Sequence, residues 1–263
     1  MPGSYESALR DAMPELASAA DRAPSPLGHR PWRLRIRHGD VELLADTTSE
    51  HVDPRQTAIG CGAALFNLRL AVGHLGLQPH VTVMPDPVQP DLLARVSAGE
   101  RHPLSAEDEA LYFALPDRRT RRHPFSRPDV PAELVTLLTA AARSEGADLV
   151  PVQPGGPLQA MDDIVGRIDG QGPGAGPRAV WDADSVGWVL LLVTDGDELA
   201  DWLRAGQALQ RVLLTATASW LQARFHNRVL ELPVLRSQVR ERLCPGRAPQ
   251  MVLELGQRSL SAT

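Results

Sequence analysis

The sequence predicts an α+β fold in which two tandem halves form an internal pseudo-dimer around central, buried helices. Helical and strand-like periodicities alternate along all 263 residues, and the same order of segments occurs twice. Two long apolar segments also align with each other, "CGAALFNLRLAVGHLGL" at 61–77 and "AGQALQRVLLTATASWL" at 205–221. A strand-like segment led by a tryptophan, Trp32 or Trp188, precedes each of them. We therefore expect a first half over 1–100 and a second half over 101–263, within one compact domain.

The alignment of the two apolar segments is the main sign of an internal duplication. Identical residues occupy five aligned positions, Gly62/Gly206, Ala64/Ala208, Leu65/Leu209, Leu70/Leu214 and Leu77/Leu221. The first segment, within 57–77, is apolar on nearly every face, which is typical of a helix that is buried on all sides. The sequence thus predicts two equivalent central helices, one in each half.

The first half contains the elements of one α+β unit. Helical spacing covers 5–21, and strand patterns at 32–37 and 41–45 flank a hairpin turn, His38-Gly39-Asp40. The apolar helix over 57–77 is expected to end at Gly76, since glycine tolerates the left-handed backbone of a helix end. A strand at 80–84 and a short segment at 91–98 complete this half.

The second half repeats the pattern with longer connections. Ser105, followed by Asp108, predicts a capped helix that continues to Leu115. A helix over 131–144, a strand over 147–152 and a glycine- and proline-rich linker at 169–177 follow. The remaining predicted elements are a buried strand at 188–193, a long helix from 198 to about 224 and a last strand at 250–255.

Composition excludes several kinds of chemistry. All 27 basic residues are arginine, so a Schiff-base lysine, a pyridoxal-phosphate anchor and a Walker-type phosphate lysine are absent. The net charge of −5 does not favour nucleic acid or an anionic membrane, and no apolar run is long enough to span a bilayer. With two cysteines and scattered histidines, no metal site is predicted. The first residues do not resemble a signal peptide, so we expect a cytoplasmic protein.

Taken together, four segments resemble the nitroreductase superfamily, and specifically its fused-dimer, Acg-type branch. They occur in the family's order and cover most of the chain: "RAPSPLGHRPW" at 22–32, "IGCGAALFNLRLA" at 59–71, "RRTRRHPF" at 118–125 with "VPAELVTLL" at 130–138, and "WLRAGQALQRVLLTATASWLQARF" at 202–225 with "PQMVLELG" at 249–256. The resemblance implies the nitroreductase-like α+β fold, with FMN as cofactor and NAD(P)H as electron donor.

The resemblance also implies two FMN-binding arms. The first arm, the loop at 22–32, contributes Ser25, Gly28 and Arg30 against the flavin ring and ribityl chain. The second arm holds the phosphate with Arg118, Arg119, Thr120 and Arg122, whereas Arg121 is expected to face solvent. Guanidinium groups and a hydroxyl are suitable donors for a dianionic phosphate, independently of the family. We assign no catalytic residue from the sequence.

Three departures from the family pattern put the retention of FMN in question. Gly28 and Arg30 replace an asparagine and a glutamine that would contact the flavin ring, although Arg30 could still stabilise negative charge on a reduced flavin. Glu254 stands where the last strand of the family has an arginine, and a carboxylate repels phosphate unless an arginine intervenes. The chain is also shorter than its relatives between Pro151 and Trp188, where a loop is expected in place of the helices and lid that cover the flavin.

Two functions are therefore compatible with the sequence. The first is an FMN-dependent oxidoreductase that transfers hydride from NAD(P)H to a small acceptor or oxidises a biosynthetic intermediate. The alternative is a flavin-free member that binds or sequesters another ligand or serves as a partner subunit. In both cases we expect a small-molecule ligand and a monomer or homodimer, because the duplication supplies both halves of the dimer in one chain.

Overall fold

A computed structural model describes residues 3–25, 30–46, 53–121, 125, 130–152, 155–169 and 188–257 of the chain. It divides into two compact units, one of residues 1–118 with 198–214 and one of residues 119–197 with 215–263. The division of the sequence into halves at residue 100 remains a prediction. Within the described ranges, no helix combines the length and apolarity needed to cross a lipid bilayer.

The elements alternate as the sequence predicts. The elements up to residue 114 are α1 (Gly3–Asp11), α2 (Met13–Ala20), β1 (Trp32–Arg37), β2 (Asp40–Ala45), α3 (Pro54–His74), β3 (Leu77–Val83), β4 (Leu92–Arg101) and α4 (Ala106–Ala114). Those that follow are β5 (Thr120–Arg121), α5 (Ala132–Ser144), β6 (Asp148–Val152), α6 (Gly156–Asp169), β7 (Trp188–Thr194), α7 (Leu199–Ala218), β8 (Leu221–Phe225), α8 (Arg228–Glu231), α9 (Pro233–Leu243) and β9 (Ala248–Gln257).

The two β-sheets have the same topology, which confirms the tandem duplication. The first has the strand order β1-β2-β4-β3, and the second has the order β5-β8-β9-β7-β6. If β5 is set aside, β6, β7, β8 and β9 correspond to β1, β2, β3 and β4, and all three pairings in each sheet are antiparallel. Trp32 leads β1 but Trp188 leads β7, the equivalent of β2, so the two tryptophans are not equivalent positions.

Local sequence accounts for the β1–β2 hairpin and the start of α3. Arg37 pairs with Asp40, so His38 and Gly39 form a two-residue turn with φ of 51° and 84°, the left-handed conformation that a tight hairpin requires. At α3 the Asp53 carboxylate accepts a hydrogen bond from the Arg55 backbone N–H at 2.9 Å and Pro54 occupies the first turn.

Helix α3 is buried along most of its length and packs against the first part of α7 within the first unit. The core of this unit includes Leu65, Phe66 and Leu68 of α3 together with Leu203 and Leu214 of α7. The helices meet at the aligned glycines. A Cβ atom at Gly62 would lie 2.2 Å from the Leu203 carbonyl oxygen, and one at Gly206 would lie 2.0 Å from the Ile59 carbonyl oxygen. Only glycine permits this approach of two backbones.

The contacts around this crossing follow the same internal symmetry. In the sequence alignment Ile59 corresponds to Leu203, Phe66 to Gln210 and Asn67 to Arg211. The Gln210 Nε2 donates a hydrogen bond to Asn67 Oδ1 at 2.7 Å. Exchanging the two halves turns this pair into Phe66 and Arg211. These two residues are also in contact, with the Arg211 guanidinium carbon 5.7 Å from the centre of the Phe66 ring. The duplicated helices thus form the predicted pseudo-dimer axis.

Three features differ from the sequence prediction. Helix α7 ends at Ala218 rather than near residue 224, because Leu221–Phe225 pairs with β9 and Trp220 turns the chain with φ of 60°. The spacing of Trp220 in the sequence favours a core position, as it does for Trp188 and Trp202, but Trp220 is 65% exposed. Helix α6 occupies 156–169, a region in which the sequence predicted a loop instead of the helices and lid of the family. Most of the predicted linker at 169–177 lies outside the described residues.

Candidate functional site

The predicted FMN-binding loop follows α2 directly, within the first unit. Ala23 and Pro24 are buried and Ser25 is half-buried, while Gly28 lies outside the described residues. The chain resumes at Arg30 and enters β1 through Pro31 and Trp32, both buried. The described parts of the loop are therefore held at both ends by the protein interior.

Arg118 from the second predicted arm contacts the start of this loop. Its Nε and Nη2 both donate to the carbonyl oxygen of Arg22, at 3.1 and 2.9 Å. Two donors on one acceptor fix the plane of the guanidinium, as expected for this planar group. The structure thus brings together Arg118 and the loop that contains Ser25.

Arg30, the residue expected to meet the flavin ring, forms an ion pair with Asp21 at the end of α2. The Arg30 side chain is 59% exposed. Ion pairs between exposed side chains contribute only about 0–1 kcal/mol, so the guanidinium can be redirected toward a bound anion at little cost.

The other end of the loop is anchored by Cys61 of α3, whose thiol donates a hydrogen bond to the Pro31 carbonyl oxygen at 3.2 Å. Burial raises the pKa of Cys61 to about 12, so the thiol stays protonated and has a structural role. Beside it, Trp32 is 6% exposed, and its indole Nε1–H lacks a hydrogen-bond acceptor among the described residues. A buried donor without an acceptor is the kind of atom that a polar ligand or a water molecule satisfies.

The rest of the predicted phosphate arm belongs to the second unit. Arg119 is exposed, and Thr120 is half-buried in β5, which pairs in parallel with β8 through Thr120/Ala223 and Arg121/Arg224. Arg122 lies outside the described residues. Arg118 therefore lies in one unit, and Arg119 and Thr120 lie in the other.

Glu254, expected to oppose phosphate binding, is neutralised within the second unit. It is 3% exposed, and its Oε2 lies 3.3 Å from Arg224 Nη1 and 2.7 Å from His226 Nε2. By strand register, Arg121 of β5 pairs with Arg224 of β8, which pairs with Glu254 of β9. An arginine thus stands between the predicted phosphate strand and the carboxylate.

Sequence reasoning did not identify Arg224 and His226 as neighbours of Glu254. It extended the helix through residue 224, and so it placed Arg224 on α7 instead of β8. The signal that was available is the alternation of apolar and polar residues in Leu-Gln-Ala-Arg-Phe at 221–225, which is typical of a strand. The described residues do not gather three or more potential metal ligands at any point.

Comparisons with known proteins are in line with the resemblance seen in the sequence. The chain is 31% identical, over 291 aligned residues, to the candidate NAD(P)H nitroreductase Rv3131 of Mycobacterium tuberculosis H37Rv, which covers 92% of this chain and 84% of that protein. It is 30% identical to the candidate NAD(P)H nitroreductase Acg of the same organism over 49% of this chain and 42% of Acg. The alignment with Rv3131 is longer than the 263 residues of this chain, so the relative contains segments that this chain lacks. No protein-family model matches the chain.

Matches to solved structures are weaker in sequence identity. A candidate nitroreductase from Anabaena variabilis is 13% identical with a TM-score of 0.49, covering 84% of this chain and 69% of that one. A nitroreductase with bound FMN from Bacteroides fragilis is 13% identical with a TM-score of 0.44, covering 58% of this chain and 90% of that one. The assignment rests on the relative that matches nearly the whole chain. This chain belongs to the nitroreductase superfamily.

Proposed function

We propose that the protein is an FMN-dependent oxidoreductase that takes hydride from NAD(P)H and passes it to a small acceptor, or that oxidises a biosynthetic intermediate. The observation that carries this proposal is the 31% identity with a candidate NAD(P)H nitroreductase across 92% of the chain. The four family motifs, which occur in order along the sequence, are consistent with it.

The residue types of the predicted phosphate arm suit a phosphate ester. Arg118, Arg119, Thr120 and Arg122 would hold the FMN phosphate, and they supply only hydrogen-bond donors and positive charge, apart from the threonine oxygen. Glu254, in the last-strand motif, carries a negative charge that would repel a phosphate. Its carboxylate is already paired with Arg224 and His226. The residues present are therefore compatible with a dianion.

The loop at 22–32 would hold the ring end of the cofactor. Its described part presents the Ser25 hydroxyl and the buried Trp32 Nε1–H, which lacks an acceptor among the described residues. Arg30, once turned away from Asp21, would place positive charge where a reduced flavin carries negative charge. The bound flavin would supply the two-electron hydride chemistry, while the protein binds, orients and polarises.

One observation favours the alternative, a flavin-free member that binds another ligand or acts as a partner subunit. Arg30 replaces a neutral glutamine and is already paired with Asp21. An arginine that only stabilises its own loop would no longer recognise the flavin.

We also propose that the protein is cytoplasmic and acts as a monomer or homodimer on a small molecule.

The decisive experiment measures flavin content and FMN affinity. We expect the purified chain to carry or take up FMN with one equivalent bound, seen as the blue absorption band of oxidised flavin. Arg119→Ala and Arg122→Ala should each weaken FMN binding about 10- to 100-fold, because each loses a charge-assisted contact of about 1.5–3 kcal/mol. Arg121→Ala is the matched control and should change the affinity less than threefold.

Two results would overturn the proposal. A colourless protein that does not take up added FMN supports the flavin-free alternative. Equal losses for all three arginine variants indicate a diffuse basic surface instead of a phosphate site.

A further inference from the structure

Strand β1 lies at one edge of the first sheet, and among the described strands only β2 pairs with it. Within this antiparallel ladder the Asp46 backbone N–H donates to the Pro31 carbonyl oxygen at 2.9 Å, which fixes the alternation of hydrogen-bonded residue pairs. The backbone N–H and C=O groups of Leu34 and Ile36 consequently point away from β2. Neither residue has a further backbone hydrogen bond within the described ranges. These groups form the open edge of β1, which can accept another strand.

Arginine side chains flank this open edge. They occupy every second position of β1, at Arg33, Arg35 and Arg37, so they lie on one face of the strand about 6.8 Å apart. Arg35 is engaged within the sheet, because its Nε donates to Glu42 Oε2 at 2.6 Å. Arg33 and Arg37 are exposed, and the side chain of neither forms an ion pair or hydrogen bond with any described residue. Two guanidinium groups beside the open edge are therefore accessible to a partner.

Strand β2 shows what kind of segment pairs with β1 on its other side. Its first four residues, "DVEL" at 40–43, alternate between acidic and apolar. Each acidic residue is opposite an arginine of β1, and each apolar residue is opposite Ile36 or Leu34. Opposite charges across a strand pair are stabilising, as are apolar pairs on the other face. A second segment with the same alternation would satisfy the open edge in the same way.

The equivalent edge of the second sheet is less suited to this. Strand β6 corresponds to β1 and contains Pro151, which has no N–H to donate to a neighbouring strand. Strand β1 contains no proline between Trp32 and Arg37. Of the two equivalent edge strands, β1 is therefore the better acceptor.

Other occupants fit the edge less well. Two copies of β1 in antiparallel register would place arginines opposite arginines, and like charges directly opposite each other are destabilising. A nucleic-acid strand would offer phosphates to the arginines but no backbone amides to the open edge. It would also leave Leu34 and Ile36, which are half-buried and pack on the core of the first unit, without apolar neighbours. The edge thus favours a polypeptide other than this chain.

We propose that the open edge of β1 binds an extended segment of another protein, in which acidic and apolar residues alternate, by β-strand addition. The main chain of that segment pairs with the backbone of Leu34 and Ile36. Its carboxylates meet Arg33 and Arg37, and its apolar side chains cover the aliphatic ones. This docking is independent of the proposed flavin chemistry.

The probe is a fluorescently labelled peptide with β2-like alternation, Thr-Asp-Val-Glu-Leu-Glu-Thr, blocked at both ends. Its binding to the full chain is measured by fluorescence anisotropy, with and without FMN. We expect saturable binding, and a counterpart with lysine at the three acidic positions should bind at least about tenfold more weakly. N-methylation of the valine and leucine removes the N–H groups that would face β1, so it should weaken binding at least about tenfold. N-methylation of the two glutamates, whose N–H groups would face away, is the matched control and should cost less than about threefold.

Variants of the protein test the arginines. Arg33→Gln and Arg37→Gln should each weaken the peptide about two- to fivefold, as expected for one exposed ion pair. Arg101→Gln, at an exposed position on β4 with β2 in between, is the control and should change the affinity by less than about 1.5-fold.

Several results would overturn the proposal. They are the absence of saturable binding, equal affinity for the acidic and lysine peptides, and no effect of N-methylation at valine and leucine. A homodimer that the peptide dissociates would show that a second copy occupies the edge. Tighter binding of oligothymidylate in competition with the peptide would identify a nucleic-acid surface instead.

The outcomes are distinct from those of the flavin experiment. Peptide binding by a chain that takes up no FMN supports this proposal and contradicts the proposed function, whereas displacement of the peptide by FMN overturns this proposal alone. If an arginine variant does not fold, the peptide series on the unaltered protein decides the matter.

Discussion

Glu254 illustrates what a single substitution means once its neighbours are known. In the family motif this position of the last strand carries an arginine, and a carboxylate there would be expected to weaken phosphate binding. In the structure, Arg224 on the neighbouring strand and His226 both contact Glu254. Relative to the family motif, the arginine therefore lies on the neighbouring strand, β8 instead of β9, and the Glu254 carboxylate pairs with it.

The pair predicts how charge reversals will behave. Glu254→Arg would place a second arginine beside Arg224 and His226 in a buried position. We therefore expect it to lower the free energy of unfolding by about 3 kcal/mol and not to tighten FMN binding. Arg224→Glu should have a similar cost. The exchanged double variant, with both substitutions, should recover at least about 1 kcal/mol relative to the sum of the single changes. Denaturant unfolding of the four proteins measures this, and strictly additive losses would contradict the pairing.

At the scale of secondary-structure elements, the crossing of α3 and α7 is the most constrained feature of the fold. Two glycines that the sequence alignment had already matched lie against each other's helix backbone. The buried Asn67–Gln210 hydrogen bond lies beyond the crossing, and Asn67 also donates to the Ala19 carbonyl oxygen at 2.8 Å, which ties α2 to the helix pair. The helices consequently have one register in which both the glycines and the polar side chains are accommodated.

Gly206→Ala tests this constraint. The new methyl group would meet the Ile59 carbonyl oxygen at 2.0 Å, and since backbone cannot rotate away, the helices must separate. We expect a loss of about 1–3 kcal/mol in the free energy of unfolding, in spite of the higher helix propensity of alanine. The matched control is Gly73→Ala on α3, where the three atoms nearest the methyl group all belong to the Leu104 side chain, which can move. Thermal and denaturant unfolding give the comparison, and similar stability of the two variants would argue against a tight crossing.

Sequence reasoning succeeded where local patterns and long-range packing agree. Helix α3 was expected from its uniform apolarity, and the β1–β2 hairpin from its turn residues; both occur within three residues of the predicted bounds. The predicted end of α7 was wrong because the strand-like alternation at 221–225, which pairs with β9, overrides the helix-like periodicity beyond Ala218. Helix α6 was missed although Leu158, Met161 and Ile164 repeat every third residue and are buried.

The candidate site was less predictable than the fold, for a related reason. The motifs named Ser25, Arg30 and Arg118 from their place in the sequence, but the contacts of Arg30 with Asp21 and of Arg118 with the Arg22 carbonyl depend on how α2 and the loop fold back. The two neighbours of Glu254 required the pairing of β8 and β9. Ionic partners far apart in sequence are determined by strand register, which periodicity alone does not give.

At the scale of the whole molecule, the duplicated halves do not fold as separate blocks of sequence. The first unit contains residues 1–118 and also residues 198–214, which belong to the central helix of the second copy. That segment contributes Leu203 and Leu214 to the core formed by α3 and its sheet. The first unit therefore needs residues supplied from more than 70 positions further along the chain.

This interdependence makes a prediction about fragments. A chain of residues 1–118 would expose the face of α3 that α7 covers, including Gly62, where a second helix backbone lies in van der Waals contact. We expect this fragment alone to lack a cooperative thermal transition, because a buried helix without its partner loses the apolar burial that stabilises it. Joining residues 197–218 to it through a flexible glycine–serine linker should restore cooperative unfolding, and the same fusion carrying Gly206→Trp should not. Circular dichroism melting curves measure all three, and a fragment 1–118 that melts cooperatively within a few degrees of the full chain would show that the first copy folds without the helix of the second.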